Sequence, residues 1–471
     1  MTFIFVFLPI VVALYYLVRK ELRNYVLLLS SVVFYAWGEP QYFLVMILIV
    51  AVNYFCALLM ERFSSFRRFF VTLALLSDFG VLGYFKYTDF LIENLNALLH
   101  CGIDPIKVVM PIGISFYIFQ SVSYLIDVYR REIPPQRDFY KLFLFIALFP
   151  QMIAGPILKY HDVAGQIEHR IFAFEQFSYG VKRFIIGLAK KVLVANVMGA
   201  VADRIFEAAG IHYPFWMNWV GAAAYTFQIY YDFSGYSDMA IGLGAVFGFR
   251  FQENFNYPYI SRSITEFWRR WHISLSTWFK EYLYIPLGGN RVSTGRNLLN
   301  LSIVFIATGV WHGASWNFVI WGVWHGFFII MEKLTGLHKR EFGLCGRFCC
   351  HLYTILVFLF GWVLFRSDTV AEAWIYVKRM FGVAAESRIL LSWQTYFGYG
   401  EPVIFGVAAL CSFPLFRGMI EIPARAGTEG TVPRWQIGKA VLTDLWLLIL
   451  FVLSVTRIAT STYNPFIYFR F

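Results

Sequence analysis

The sequence has few charged residues: Asp, Glu, Lys and Arg make up only 15% of the chain, whereas 59% is hydrophobic. Soluble globular proteins are typically about 25% charged and about 45–50% apolar. This scarcity of charge excludes a soluble multidomain protein and predicts a polytopic membrane protein. Phe, Trp and Tyr make up 20% of the chain, which suits surfaces that face lipid and its two interfaces.

Cysteine is scarce too, with 6 residues in 471. Cys345, Cys349 and Cys350 form a cluster that lacks the second Cys pair or the nearby paired His of a zinc site. We therefore predict no metal site and expect reduced or lipid-modified thiols beside a membrane. The net charge of +11 is concentrated in short basic loops between apolar runs, as cytoplasmic loops require. No nucleic-acid partner is predicted.

The N-terminus lacks the basic region and the small-residue cleavage site of a secretory signal. The apolar run at residues 3–18 is therefore expected to remain as a first helix. Arg19, Lys20 and Arg23 follow this run, and no charged side chain precedes it. The positive-inside rule then places the first loop in the cytoplasm and the N-terminus outside.

Apolar windows recur along the chain and predict an all-α membrane protein with roughly ten to twelve crossings. Residues 1–471 are expected to form a single membrane domain. Runs at 25–37, 236–249 and 298–311 are too short to cross alone and are expected to be re-entrant or half-helices. Residues 263–284 are expected to form an amphipathic element that lies at an interface or enters the protein. Its aromatic and apolar stripe comprises Trp268, Trp271, Leu275 and Trp278.

Polar side chains are dense between residues 266 and 326, between apolar runs. Ionisable groups in a bilayer are costly unless they face a cavity or a partner, so this stretch is the first candidate for a functional site. His312 follows Trp311 and precedes Gly313, where the backbone can approach a substrate closely. A neutral His can take a proton from a hydroxyl and return it to a leaving group, as acyl transfer requires. A buried structural His, or a haem or metal ligand, fits the same pattern.

His325 lies thirteen positions after His312. On one continuous helix the two side chains would point about 140° apart. They are poor partners for one ion on such a helix, although each could bind a separate haem. A structural role is expected for His325.

His272 lies beside Arg269 and Arg270, and Glu266 precedes Arg270 by one helical turn. This spacing predicts an ion pair that holds a helix, with His272 hydrogen-bonded nearby. The functional alternative is a basic entrance for an anionic donor such as a coenzyme A phosphate, which Arg binds in a bidentate manner. The turn Gly288-Gly289-Asn290-Arg291 could add backbone donors.

Asp232 and Asp238 lie between two apolar runs. They either cap the following helix or contribute to a polar cavity. Asp232, Ser274 and Trp311 are the predicted lining residues of such a cavity.

The chain ends in an aromatic segment, residues 465–471, that contains one Arg. This segment could simply anchor the terminus at an interface. Tyr468, however, can act as a nucleophile when a base reaches its hydroxyl.

Four adjoining motifs, in this order, resemble those of the membrane-bound O-acyltransferase (MBOAT) family. The resemblance covers roughly residues 111–326 and is strongest to the bacterial branch that acetylates alginate and peptidoglycan; the membrane proteins of D-alanyl transfer to teichoic acids are more distant. The motifs are Asp232-Phe-Ser-Gly-Tyr-Ser-Asp-Met-Ala-Ile-Gly242, Phe267-Trp-Arg-Arg-Trp-His-Ile-Ser-Leu-Ser276, Tyr284-Ile-Pro-Leu-Gly-Gly-Asn290 and Trp311-His-Gly-Ala314.

The resemblance implies a ring of transmembrane helices around a thinned centre with a through-tunnel. It implies that His312 is the catalytic histidine in that tunnel and that His272 is a second characteristic histidine nearer the cytoplasm. Tyr468 would receive the acyl group and pass it on. Lys280-Glu281-Tyr282 departs from the Arg-Asp-Tyr of many relatives but retains the charges, so it leaves only fine geometry in doubt.

The resemblance also implies an acyl thioester donor, acetyl-coenzyme A, and no bound cofactor. The expected partners are an extracytoplasmic SGNH-type acyltransferase and a polysaccharide acceptor. The expected location is the bacterial cytoplasmic membrane, with both termini outside. Two alternatives remain open, D-alanyl transfer to teichoic acids and a transporter or channel whose polar stretch lines a permeation path.

Overall fold

The structure, a computed structural model, describes residues 1–170, 172–207, 213–383, 397–415, 434–461 and 463. This part of the chain is built from helices and contains no β-strand. It divides into two compact units, one formed by Met1–Phe177 and Leu243–Gln252 and the other by Ser178–Gly242 and Glu253–Phe471. The predicted all-α fold class is therefore confirmed.

The α-helices of the described residues are, in chain order, α1 (Leu8–Leu17), α2 (Arg23–Gly38), α3 (Phe43–Arg62), α4 (Arg67–Leu99), α5 (Ile114–Arg130), α6 (Phe139–Ala147), α7 (Tyr160–Glu168), α8 (Phe174–Ala189), α9 (Asn196–Phe206), α10 (Phe215–Val246), α11 (Ile264–Arg270), α12 (Ile273–Phe279), α13 (Thr294–His312), α14 (Trp316–Thr335), α15 (Leu344–Arg366), α16 (Val370–Met380), α17 (Glu401–Cys411) and α18 (Arg434–Thr460).

Six helical segments of the described chain are long and apolar enough to cross a membrane. They are Phe43–Arg62, Ser64–Leu99, Phe174–Phe206, Trp316–Thr335, Leu344–Arg366 and Gly438–Thr460. Only 11% of the most apolar window of the last segment is buried against other described residues. The chain is a multi-pass membrane protein. The total of roughly ten to twelve crossings stays a prediction.

The course of α10 corrects two predictions. Residues 236–249, expected as a separate half-helix, begin inside a continuous helix of 32 residues. Asp238 therefore does not cap a helix; its carboxylate lies 2.5 Å from Arg183 and 2.7 Å from Lys190. The polar residues between the two apolar runs mark an ion-pair contact inside the protein, and the helix continues through them. Residues 298–311 likewise belong to a longer helix, the 19-residue α13.

The tryptophan-rich segment forms two short helices instead of one. α11 ends at Arg270 and α12 begins at Ile273, because His272 between them adopts left-handed backbone angles, φ 44° and ψ 55°. Such angles in a non-glycine residue cost on the order of 1–3 kcal/mol and persist only when the surroundings hold them. The stripe of the segment enters the protein and does not lie on its surface. Its buried members are Trp268, Trp271, Leu275 and Trp278.

A buried carboxylate ties the start of α11 to α14. Glu332 accepts hydrogen bonds from the backbone N–H of Ile264 at 2.5 Å, from that of Thr265 at 2.8 Å and from the Thr265 hydroxyl at 2.6 Å. The first N–H groups of a helix have no partner within it, and negative charge is favourable there. Ser263 completes the cap by accepting from the N–H of Glu266.

Helices α13 and α14 touch at two glycines. A β-carbon on Gly309 would lie 2.3 Å from the carbonyl oxygen of Phe318, and one on Gly322 would lie 2.3 Å from that of Phe305. Small residues at such a contact let two membrane helices approach backbone to backbone. His312 is the last residue of α13, so this contact fixes where its side chain meets α14.

Substituting Gly322→Ala should force the two helices apart, since the added methyl group would overlap backbone that cannot rotate away. Overpacking of this kind costs about 1–3 kcal/mol, so the apparent melting temperature of the purified protein should fall. Gly295→Ala on α13 is the matched control, because no atom lies within 4 Å of its β-carbon position. Equal melting temperatures for both variants and the unmodified protein would contradict the backbone contact.

Candidate active site

His312 is buried in an aromatic wall at the end of α13, with 7% of its surface exposed. Its ring centroid lies 4.9 Å from that of Trp321 and 5.2 Å from that of Phe365. Gly313 was expected to let a substrate approach the backbone, but the ring of Phe318 fills that space, 2.1 Å from its β-carbon position. The wall keeps water from the imidazole, and electrostatic interactions are stronger in such a site than in water.

His272 is held by Asn254 at the break between α11 and α12. Its Nδ1 lies 3.1 Å from the Asn254 side-chain oxygen, which also accepts from the hydroxyl of Ser274 at 2.9 Å. An amide oxygen only accepts, so Nδ1 carries the proton and Nε2 presents a lone pair. Within the described residues this buried Nε2 has no hydrogen-bond partner. Burial lowers the pKa of His272 to about 3, so the ring is neutral near pH 7.

Trp311 connects the two histidines. Its ring centroid lies 6.2 Å from that of His272 and 4.9 Å from that of His312. The structure therefore brings three of the predicted site residues into one buried region. Ser274, a fourth, enters the same region through its bond to Asn254.

His325 lies on α14 and His312 on α13, so the angle considered above for one continuous helix does not apply. It is fully buried, with ring centroids 5.2 Å from Trp268 and 5.0 Å from Trp321. Trp321 therefore packs against both His312 and His325. In the part of the chain that the structure describes, neither ring nitrogen of His325 has a hydrogen-bond partner. These surroundings fit the structural role expected for it.

The three predicted donor-binding residues have different surroundings. Arg270 pairs with Glu266 at 2.9 Å, which confirms the predicted ion pair and commits this guanidinium to holding α11. Arg269 and Asn290 are exposed. The glycines before Asn290 do not offer free backbone donors, because their N–H groups bond within the turn, to Ile285 and Tyr284, at 2.9 Å.

Asp232 is a buried ion-pair member. It is 1% exposed, and its carboxylate lies 2.5 Å from the amino group of Lys191. Removing either partner would destabilise the protein, because the charge of the other partner would remain buried and uncompensated.

A further ionic cluster holds the end of the described chain. Asp203 accepts a hydrogen bond from the Tyr463 hydroxyl and lies 2.6 Å from Arg366, which also pairs with Glu207 at 2.8 Å. Burial, and then the bond to Asp203, raise the pKa of Tyr463 well above its ordinary value. This hydroxyl therefore stays protonated and acts as an anchor. Tyr468, the predicted acyl acceptor, lies outside the described residues.

Two residues, Asn254 and Arg366, were missed by the sequence reasoning. Asn254 lies in a polar segment with no recognisable pattern, and only its contact with His272 reveals its role. Arg366 offered a signal, because an ionisable residue at the end of an apolar run suggests a functional or paired site. It follows Phe365, whose ring packs against His312, so the tail anchor and the histidine site share one turn of α15.

Comparison with known proteins gives a family model and several relatives. The model described as MBOAT, the membrane-bound O-acyltransferase family, matches residues 41–366. A probable alginate O-acetylase of Azotobacter vinelandii is 38% identical over 100% of this chain and 99% of its own. A peptidoglycan O-acetyltransferase of Helicobacter pylori is 34% identical over 83% and 80%. A teichoic acid D-alanyltransferase of Bacillus subtilis is 27% identical over 46% and 57%.

The pKa of His272 predicts a pH dependence of stability. The unfolded chain binds a proton near pH 6.5, whereas folded His272 resists protonation down to about pH 3. Stability attributable to this group is complete above about pH 6.5 and is lost as pH falls, by at most about 1.4 kcal/mol per pH unit.

The test compares apparent melting temperatures at about pH 7.5 and about pH 5 for the unmodified protein and His272→Gln, a window chosen around the ordinary His pKa. The acid-induced fall should be smaller in the variant, because glutamine does not titrate. Equal falls in both proteins would show that His272 is not held neutral.

Proposed function

Since the chain belongs to the membrane-bound O-acyltransferase family and is an acyltransferase, we propose that it transfers an acetyl group from a cytoplasmic thioester, acetyl-coenzyme A, to the outer side of the membrane. The final acceptor is an envelope or exported polysaccharide, a class supported by relatives that act on alginate and peptidoglycan. An extracytoplasmic partner with a Ser-His-Asp site completes the transfer to sugar hydroxyls. The donor is a substrate, and no bound cofactor is proposed.

The observation that carries this proposal is the pair of buried histidines on either side of Trp311. His312 acts as the general base. The acceptor hydroxyl gives its proton to the His312 imidazole while its oxygen attacks the thioester carbonyl carbon. The carbon–sulfur bond then breaks, the leaving thiolate takes the proton from the imidazolium, and the acetyl group remains as an oxygen ester.

His272 has a different role in this scheme. With a pKa of about 3 it cannot hold a proton near pH 7, so it is a poor proton carrier. Its bare Nε2 is a hydrogen-bond acceptor that can hold an amide N–H of the donor's arm and so orient the donor carbonyl, because the single proton of the acceptor hydroxyl goes to His312. Asn254 fixes that orientation by holding Nδ1. His272 is thus a positioning residue beside the base.

Tyr468 is the proposed first acceptor, and the tail anchor supports this. Tyr463 is bound to Asp203, which pairs with Arg366, and Arg366 follows Phe365 in the wall around His312. Tyr468 lies five positions after Tyr463, so the Cα atoms of the two residues are at most about 18 Å apart. This short connection to an anchored residue supports Tyr468 as the acceptor.

The basic loops support a location in the bacterial cytoplasmic membrane with the N-terminus outside. A relay through Tyr468 requires the C-terminus to be outside as well, and hence an even number of crossings. D-alanyl transfer from a carrier-protein thioester is the alternative chemistry at the same site. A transporter or channel would turn over neither thioester.

Replacing His312 with Ala should reduce acetyl transfer at least about a hundredfold, the usual contribution of a general base. Purified protein in proteoliposomes is given radiolabelled acetyl-coenzyme A, and the label on protein or polymer is counted. The control is His169→Gln, an exposed histidine, which should behave as the unmodified protein does. Full transfer by a stably folded His312→Ala variant would refute the base. Labelling from a D-alanyl carrier thioester alone would favour the alternative.

Tyr468→Phe should abolish ester formation on the polymer, because the variant lacks the accepting oxygen. The folded protein should remain intact. Tyr463→Phe should lower transfer only in part, since it releases the anchor but keeps the acceptor. An acetyl group on the tail that hydroxylamine removes, located by mass spectrometry, separates the two variants. Unchanged polymer acetylation in Tyr468→Phe would remove the tail from the mechanism and leave His312 in place.

A further inference from the structure

A polar cavity lies at the end of α14, away from the histidine site. Its volume is about 390 Å³, which is within the range of small-molecule sites, roughly 300–1,000 Å³. It is lined by the start of α11, by the connection between α14 and α15, and by the first turns of α15. The lining residues that matter here are Arg262, Glu266, Arg340, Glu341, Phe342 and Arg347.

The cavity carries an excess of positive charge. Both oxygens of Glu266 are engaged, one by Arg270 at 2.9 Å and the other by the backbone N–H of Arg262 at 3.0 Å. The lining then contains one further carboxylate, Glu341, and three guanidinium groups, those of Arg262, Arg340 and Arg347. None of those three groups has an ion-pair partner within 4.0 Å among the described residues. Guanidinium groups in this state suit phosphate oxygens, which they bind in a bidentate manner.

The lining also offers an aromatic surface beside the charges. Phe342 packs against Gly346: a β-carbon added to Gly346 would lie 2.7 Å from the β-carbon of Phe342. The Phe342 carbonyl accepts from Nε of Arg347 at 3.0 Å, which ties the Arg347 side chain to this loop. Nucleotide bases stack on aromatic rings, and here a ring lines the same cavity as the guanidinium groups that suit phosphates.

Two elements connect this cavity with the histidines. α11 begins at the cavity and leads to His272. α14 contains Trp321, which lies beside His312, and it ends two residues before Leu337 of the lining. The helical rise gives about 21 Å along α14 between Trp321 and Thr335, the last residue of the helix. An extended arm is therefore needed between a group bound in the cavity and a carbonyl at His312.

From these observations we propose that the cavity binds the phosphorylated nucleotide end of the thioester donor, while the acyl group reaches the histidines through the donor's flexible arm. This proposal rests on the acyltransfer function proposed above. It assigns recognition to Arg262, Arg340 and Arg347 in place of Arg269, Arg270 and Asn290. The headgroup of an anionic lipid has the same phosphate chemistry and is the competing source.

The test uses the full chain in proteoliposomes, with Arg262→Gln and Arg340→Gln combined. The KM for acetyl-coenzyme A should rise roughly tenfold or more, because two charge-assisted hydrogen bonds are lost. The KM for acetyl-pantetheine, which has no nucleotide, should change less than about twofold on the same reasoning. Lys339→Gln is the matched control, since Lys339 is an exposed cation of the same loop that does not line the cavity.

Direct binding of adenosine 3′,5′-bisphosphate provides a readout that does not depend on turnover. Its affinity should fall in the double variant and not in Lys339→Gln. An unchanged KM and affinity in the double variant would overturn the proposal while leaving acetyl transfer intact. A defect that appears only in vesicles containing phosphatidylglycerol, and not in pure phosphatidylcholine, would assign the cavity to lipid. A wild-type protein that uses neither thioester would refute the proposed function itself.

Discussion

The contact between Gly309 and Gly322 sets the distance between α13 and α14, and the candidate site depends on that distance. Membrane helices gain little from hydrophobic burial against each other because lipid is equally apolar, so close packing must supply the attraction. Here the backbones touch, which brings the end of α13 against Trp321. α11 is fastened to the same α14 through Glu332, and His272 follows from the end of α11. One glycine contact and one carboxylate thus position both histidines.

The surroundings of the two histidines give them different chemical properties. His272 has one nitrogen bound to Asn254 and the other bare in an apolar environment, which keeps the ring uncharged. His312 lies at a helix end in an aromatic wall. Dry sites of this kind strengthen each remaining polar contact. The arrangement suits a reaction in which one ring moves a proton and the other only orients the reacting group.

The sequence predicts the fold class and the family, because composition and adjoining motifs are local properties. It also predicts the Glu266–Arg270 pair from helical spacing alone. It could not predict that α10 is continuous, because the ion pairs of Asp238 that allow this come from residues about fifty positions away. The left-handed break at His272 was equally hidden, since Asn254 holds it from outside the motif. Long-range polar contacts are where local reasoning failed.

The tether at Tyr463 has a kinetic consequence under the proposed relay. A group attached through a five-residue segment is present at an effective concentration on the order of millimolar, whatever the concentration of polymer outside. The first transfer is then independent of polymer supply, and each tail holds one acyl group until something removes it. The polymer controls only the discharge. In a cell that lacks polymer, the tails of these proteins would remain acylated and no further thioester would be consumed.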